Sequence, residues 1–106
     1  MYRNKKVPNA RCILHVHSKY ALALSCLKDP TLPPIDQNTM RFYNRVAVYG
    51  DFGGLGFEEE SEKMANSIGN HNILLLANHG ILIAGPTVAQ AFDELFYFEK
   101  ACETYI

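Results

Sequence analysis

Apolar residues in this chain fall into short blocks whose period changes along its length. Residues 12–17, Cys12-Ile13-Leu14-His15-Val16-His17, read as a strand, with Val7-Pro8-Asn9-Ala10 as the turn before it. Side chains two apart on a strand share a face, so His15 and His17 are expected to project together while Leu14 and Val16 face a core. Ser18 stands where it can cap a helix running through Ala21, Leu22, Leu24 and Leu27, which Asp29-Pro30 and Pro33-Pro34 stop. A short helix from about Asp36 to Tyr43 follows, with Met40 and Tyr43 three apart, and then a brief strand at Val46-Ala47-Val48-Tyr49. Gly50, Gly53, Gly54 and Gly56 mark a loop, and a helix is expected from about Phe57 to Ile68. Two apolar runs, 73–77 and 81–84, flank Asn78-His79-Gly80, whose composition favours a tight turn or bulge and makes the pair a hairpin or a bent strand. The last helix has the clearest pattern. Thr87 and Gln90 have capping-box spacing, and Val88, Ala91, Phe92, Leu95, Phe96, Glu99 and Cys102 form a stripe read as core-facing. Phe96, Tyr97 and Phe98 cannot all point inward, so an exposed part of that stripe is a candidate subunit contact.

Alternating strands and helices predict a sheet covered by helices. Gly80 and the expected hairpin argue against a purely parallel sheet. The fold class is therefore α/β: three α/β/α layers around a mixed or mostly antiparallel central sheet. A length of 106 residues suits one modest domain. The net charge of -1 gives no reason to expect nucleic acid or an anionic membrane as partner. The basic start (Arg3, Lys5, Lys6) and the acidic stretch (Glu58, Glu59, Glu60, Glu62) read as solvated surface. Cys12, Cys26 and Cys102 show neither metal spacing nor a disulfide framework, which points to small apolar packing roles and a reducing, cytoplasmic setting. No stretch has signal-peptide form or transmembrane length. The glycine loop lacks both the Lys-Ser/Thr ending and the ordered Gly-x-Gly-x-x-Gly spacing of nucleotide-binding loops.

The chemistry concentrates in histidines. His15 and His17 share a strand face, and His79 follows the apolar run 73–77, where a strand should end. Three imidazoles brought together suit a divalent metal such as zinc, with a coordination position left open for substrate. Two strand histidines also fit plain hydrogen bonding or half-exposure, and His-x-His alone is a weak pattern. His71 has no such spacing and reads as a surface or helix-end residue rather than a ligand.

Several segments taken together resemble the class II aldolase/adducin domain. They are Leu14-His15-Val16-His17-Ser18, Ala21, the Pro33-Pro34 turn, Arg41-Phe42-Tyr43 with Arg45-Val46-Ala47, Leu76-Ala77-Asn78-His79-Gly80, Gly85-Pro86-Thr87-Val88, and the helix from Ala91 to Cys102 with Glu99. The similarity runs from about residue 8 to the end, and the paired spacing of His-x-His and Asn-His-Gly makes it specific. The resemblance implies that His15, His17 and His79 hold zinc. It also implies a fuculose-phosphate-aldolase-like lyase that cleaves or forms carbon–carbon bonds in phosphorylated sugars by Lewis-acid catalysis. The family's acid/base carboxylate and phosphate-binding loops lie upstream of its first metal histidine. Only 14 residues precede His15 here, and they contain no Asp or Glu, so no catalytic residue is assigned. The expectation is a single partial domain over residues 1–106, matching the C-terminal half of the family domain and inactive alone. It is further expected to self-associate or to join a companion upstream segment. The rival class within the same resemblance is a non-enzymatic structural or interaction domain of the adducin-head type.

Overall fold

A computed structural model describes residues 11–50, 66–69 and 71–106. The turn expected at 7–10, most of the glycine loop, the helix from 57 to 65 and both charged stretches lie outside the described residues. Four strands make one sheet in the order β1-β4-β3-β2. They are β1 (Cys12–Val16), β2 (Val46–Tyr49), β3 (Ile73–Leu76) and β4 (Gly80–Gly85). β4 runs antiparallel to both β1 and β3, while β2 joins β3 in parallel. The sheet is mixed, and the runs flanking Asn78-His79-Gly80 form a hairpin, as the turn chemistry predicts.

Every residue of β3 and β4 is buried. Strands covered on both faces read as continuous apolar runs, which is why neither shows alternation in sequence. On one face Ile73, Leu75, Ile81 and Ile83 pack against Ala21, Leu24, Phe42, Phe98 and Cys102. These come from α1 (Lys19–Ser25), α2 (Gln37–Arg41) with its end, and α3 (Val88–Tyr105). Phe42 meets Phe98 edge to face at 5.1 Å, a contact worth about 0.5–1.5 kcal/mol beyond its burial. On the other face Leu74, Leu76, Leu82 and Ala84 pack with Tyr49 and Ile68, the latter ending a helical stretch at 66–68. The architecture is three α/β/α layers. Leu14 and Val16 pack on the first core as expected.

Several local expectations are corrected. Ser18 occupies the N-cap position of α1, but its side chain makes no capping bond. α1 stops at Ser25, so Leu27 lies beyond it, and Cys26 is an exposed C-cap rather than a packed helical residue. α2 stops at Arg41, short of Tyr43, and both apolar residues of the expected helix face solvent: Met40 is 63% and Tyr43 57% exposed. Thr39 is buried instead, because its hydroxyl is used up locally. It accepts from the Ile35 and Asp36 amides at 2.8 Å, while its own amide donates to the Asp36 carboxylate. This reciprocal box also holds the Asp36 carboxyl below its usual value, first through the Thr39 backbone bond and then through the hydroxyl. At Thr87 only half of the expected box forms. Thr87 Oγ1 accepts from the Gln90 amide, and the Gln90 side chain meets the Thr87 hydroxyl. The buried edge of α3 is Ala91, Phe98, Ala101 and Cys102; Val88, Phe92 and Phe96 turn outward.

Candidate metal centre

The three candidate histidines come together because of the β1–β4 pairing. His15 sits opposite Leu82 in the antiparallel register, one residue pair from Val16 and Ile81. His17 follows the last residue of β1, and His79 precedes the first residue of β4. The end of one strand and the start of its neighbour therefore present all three rings at one corner of the sheet. His15 and His17 are exposed and His79 is partly buried.

Local backbone fixes the corner. Asn78 adopts a left-handed conformation at φ 58°, which asparagine tolerates better than most residues. The His79 amide donates to Leu76 O at 3.0 Å and closes the turn, while the Asn78 amide donates to Ser25 O at 2.8 Å and seats the turn on the end of α1. Gly80 has φ 154°, and a Cβ there would collide with the Val16 carbonyl oxygen and lie 2.9 Å from the His17 ring. Only glycine lets β4 begin so close to β1 at this point.

The rings converge through their Nε2 atoms. His15 Nε2 lies 3.2 Å from His79 Nε2 and 3.3 Å from His17 Nε2. Nitrogens at ~2.0–2.1 Å from one tetrahedral zinc lie about 3.3–3.4 Å from each other, and these separations match that spacing. His15 Nδ1 donates to Ile81 O at 3.0 Å. That bond puts the proton on Nδ1 and leaves the Nε2 lone pair aimed into the cluster, the arrangement that orients a metal-ligating imidazole. Burial, followed by the proximity of His15 and His17, lowers the pKa of His79 from its ordinary value and so favours the neutral, ligating form. Among the described residues the ligating groups of this cluster are three imidazoles, with no carboxylate. Three neutral nitrogen donors with open access suit a borderline divalent ion that keeps a free coordination position.

The described structure matches a class II aldolase in fold as well as in sequence. The model of the class II aldolase and adducin N-terminal domain covers residues 1–106. The chain belongs to that family. A class II aldolase superfamily protein from Pseudomonas syringae is 35% identical in solved structure, with a TM-score of 0.81 over 89% of this chain and 38% of that one. An L-fuculose 1-phosphate aldolase from Glaciozyma antarctica is 31% identical, with a TM-score of 0.75 over 92% of this chain and 35% of that one. Gamma-adducin of Rattus norvegicus is 33% identical over 100 residues, covering 93% of this chain and 14% of that protein. This family member thus spans well under half the length of these relatives.

His71 stays apart from the cluster, at the end of the helical stretch. Its Nδ1 faces Ile68 O at 3.3 Å and its Nε2 faces Asn44 O at 3.2 Å, joining two loops. Cys102 is buried as expected, and burial followed by the nearby Glu99 charge pushes its thiol up to about 12. Two cavities among the described residues have linings that include none of the histidines. One of about 280 Å³ opens between Arg41, Arg45, Gly85 and Glu94, at the far end of β4 from Gly80. What sequence reasoning missed is the role of Glu99, which it placed only in the stripe of the last helix. Its carboxylate accepts from the Tyr20 amide at 2.8 Å and the Ala21 amide at 2.9 Å, in the place Ser18 was expected to fill. The available signal was a carboxylate standing within an otherwise apolar helical stripe.

Proposed function

We propose that His15, His17 and His79 hold a zinc ion, and that this chain contributes the metal-binding part of a class II aldolase-type active site. The complete domain would cleave a carbon–carbon bond of a phosphorylated sugar in the cytoplasm. The observation that carries the reading is that His17 and His79 each bring Nε2 to zinc-ligand spacing from His15 Nε2, with the His15 proton held on Nδ1 by the Ile81 carbonyl. The likeness to an L-fuculose 1-phosphate aldolase supports the reaction class. Three free cysteines fit a reducing compartment. Among the described residues no helix is long and apolar enough to cross a membrane.

A bound divalent ion supplies Lewis acidity toward a carbonyl or hydroxyl oxygen of the substrate. The chain's own residues do the positioning. The Ile81 carbonyl fixes the tautomer of His15, Gly80 lets the His79 turn approach β1, and the left-handed Asn78 aims that turn. Aldol cleavage also needs a proton acceptor and a phosphate clamp. Among the described residues the cluster contains no carboxylate, and Glu99 is engaged by the α1 amides. Residues 1–106 alone are therefore expected to turn over sugar phosphates very slowly.

Metal analysis of the purified chain checks the first part. About one zinc per chain is expected, with loss of binding in His17→Ala. Equal zinc content in wild type and variant would refute the assignment. A sugar-phosphate cleavage assay checks the second part, and brisk metal-dependent cleavage by this polypeptide alone would overturn it. The likeness to gamma-adducin carries a second reading, an interaction domain. Binding to filamentous actin that survives chelation would favour that class.

A further inference from the structure

Helix α1 is seven residues long, too short to hold itself together in water. It nevertheless separates the two halves of the histidine cluster along the chain. His17 stands two residues before its first residue, Lys19, and the turn carrying His79 rests on its last, through the Asn78 amide and the Ser25 carbonyl. Its first-turn amides need acceptors, and the Ser18 side chain provides none. The Glu99 carboxylate, reaching over from α3, takes both the Tyr20 and the Ala21 amide, one on each oxygen. A carboxylate at that end also meets the positive pole of the helix, and bonds to a charged acceptor are the stronger kind.

We propose that Glu99 is a positioning residue for the metal centre, acting through α1 to fix where His17 leaves β1. The inference rests on the metal-centre reading of the histidine cluster. α3 is the longest helix among the described residues and is locked to the core by Phe98 and Cys102, which lie on either side of Glu99 in sequence and are both fully buried. The carboxylate therefore carries the rigidity of the 18-residue α3 to the start of the seven-residue α1. It touches no ligand. Its effect passes through three residues of main chain, from the Tyr20 amide back to His17. Without it, the first turn of α1 frays, His17 gains backbone freedom, and the three-nitrogen geometry is lost part of the time.

Cobalt(II) binding to the full chain tests this, because its visible absorption reports both affinity and coordination geometry. Wild type is expected to bind one ion with a band of tetrahedral type. Glu99→Ala should weaken binding by about 10-fold or more and alter the band, the range seen when support behind metal ligands is removed. Glu99→Gln keeps one acceptor oxygen and should fall between the two. Glu94→Ala is the control. Glu94 pairs α3 with Arg41 of α2 at 2.7 Å, so its loss should lower thermal stability while leaving cobalt affinity and band shape unchanged. Affinity within about twofold of wild type and an unaltered band in Glu99→Ala would overturn the positioning role, as would equal weakening by Glu94→Ala. If Glu99→Ala does not fold, Glu99→Gln decides, and a wild-type affinity and band there would be equally fatal. A wild-type chain with no cobalt band would instead overturn the metal reading itself, and the positioning role with it.

Discussion

At the scale of single residues, the corner of the sheet depends on an absence of atoms at Gly80. A methyl group there would enter the space of the Val16 carbonyl and press on the His17 ring, and the backbone angle disfavours any side chain. Gly80→Ala is therefore expected to cost about 2 kcal/mol or more in urea unfolding and to weaken zinc binding in the same variant. Gly69→Ala is the informative comparison. Gly69 also has positive φ, at 59°, but nothing lies within 4 Å of its Cβ position. It should lose about 1 kcal/mol from backbone strain and keep full zinc binding. Equal zinc affinity in Gly80→Ala and wild type would show that the turn has more slack than its contacts imply.

At the scale of elements, the sequence was most readable where one force acted alone. β3 and β4 are continuous apolar runs closed by Asn78-His79-Gly80, and both the hairpin and its pairing to β1 follow from that. Short helices were harder, because tertiary contacts override their local pattern. Ser18 looks like a cap and is not one, since a carboxylate nearly eighty residues away reaches the same amides. Met40 and Tyr43 are the apolar residues of the expected 36–43 helix, yet Thr39 goes in, because a hydroxyl that satisfies its neighbours' amides costs little to bury. The convergence of the three histidines was legible from strand periodicity and the turn; its fine spacing needed the β1–β4 register. Thr39 offers a check on this account. Thr39→Val keeps the shape and removes the hydroxyl, leaving the Ile35 and Asp36 amides without it, and is expected to cost about 1–3 kcal/mol by denaturant melt. A loss below about 0.5 kcal/mol would mean that water replaces the hydroxyl at no cost.

At the scale of the whole molecule, both outer strands of the described sheet, β1 and β2, have one unpaired edge among the described residues. Val48 on β2 is 44% exposed, and α3 turns Val88, Phe92 and Phe96 outward at 65%, 60% and 47%. Apolar groups at helical spacing beside open strand edges favour association. Family relatives extend well beyond the matched region, and the surfaces left bare here are the sort that further chain or another copy covers. Light scattering of the isolated 106-residue chain is expected to report oligomers whose mass grows with concentration. A monomer of constant mass across a wide concentration range would contradict this.

With zinc bound as proposed, the register that brings His15 beside His79 would also make metal supply a matter of solubility. β1 is an outer strand, and β4 is its partner in the described sheet. An ion shared between ligands 64 residues apart would clasp that strand at its tip, and ligands that bind only the closed form resist opening in proportion to their concentration. Peeling β1 away would uncover β4, a strand buried along its whole length. Starved of zinc, the chain would fray first where its most adhesive backbone lies underneath, so a cell short of metal would lose this protein to aggregates before losing it to slow chemistry.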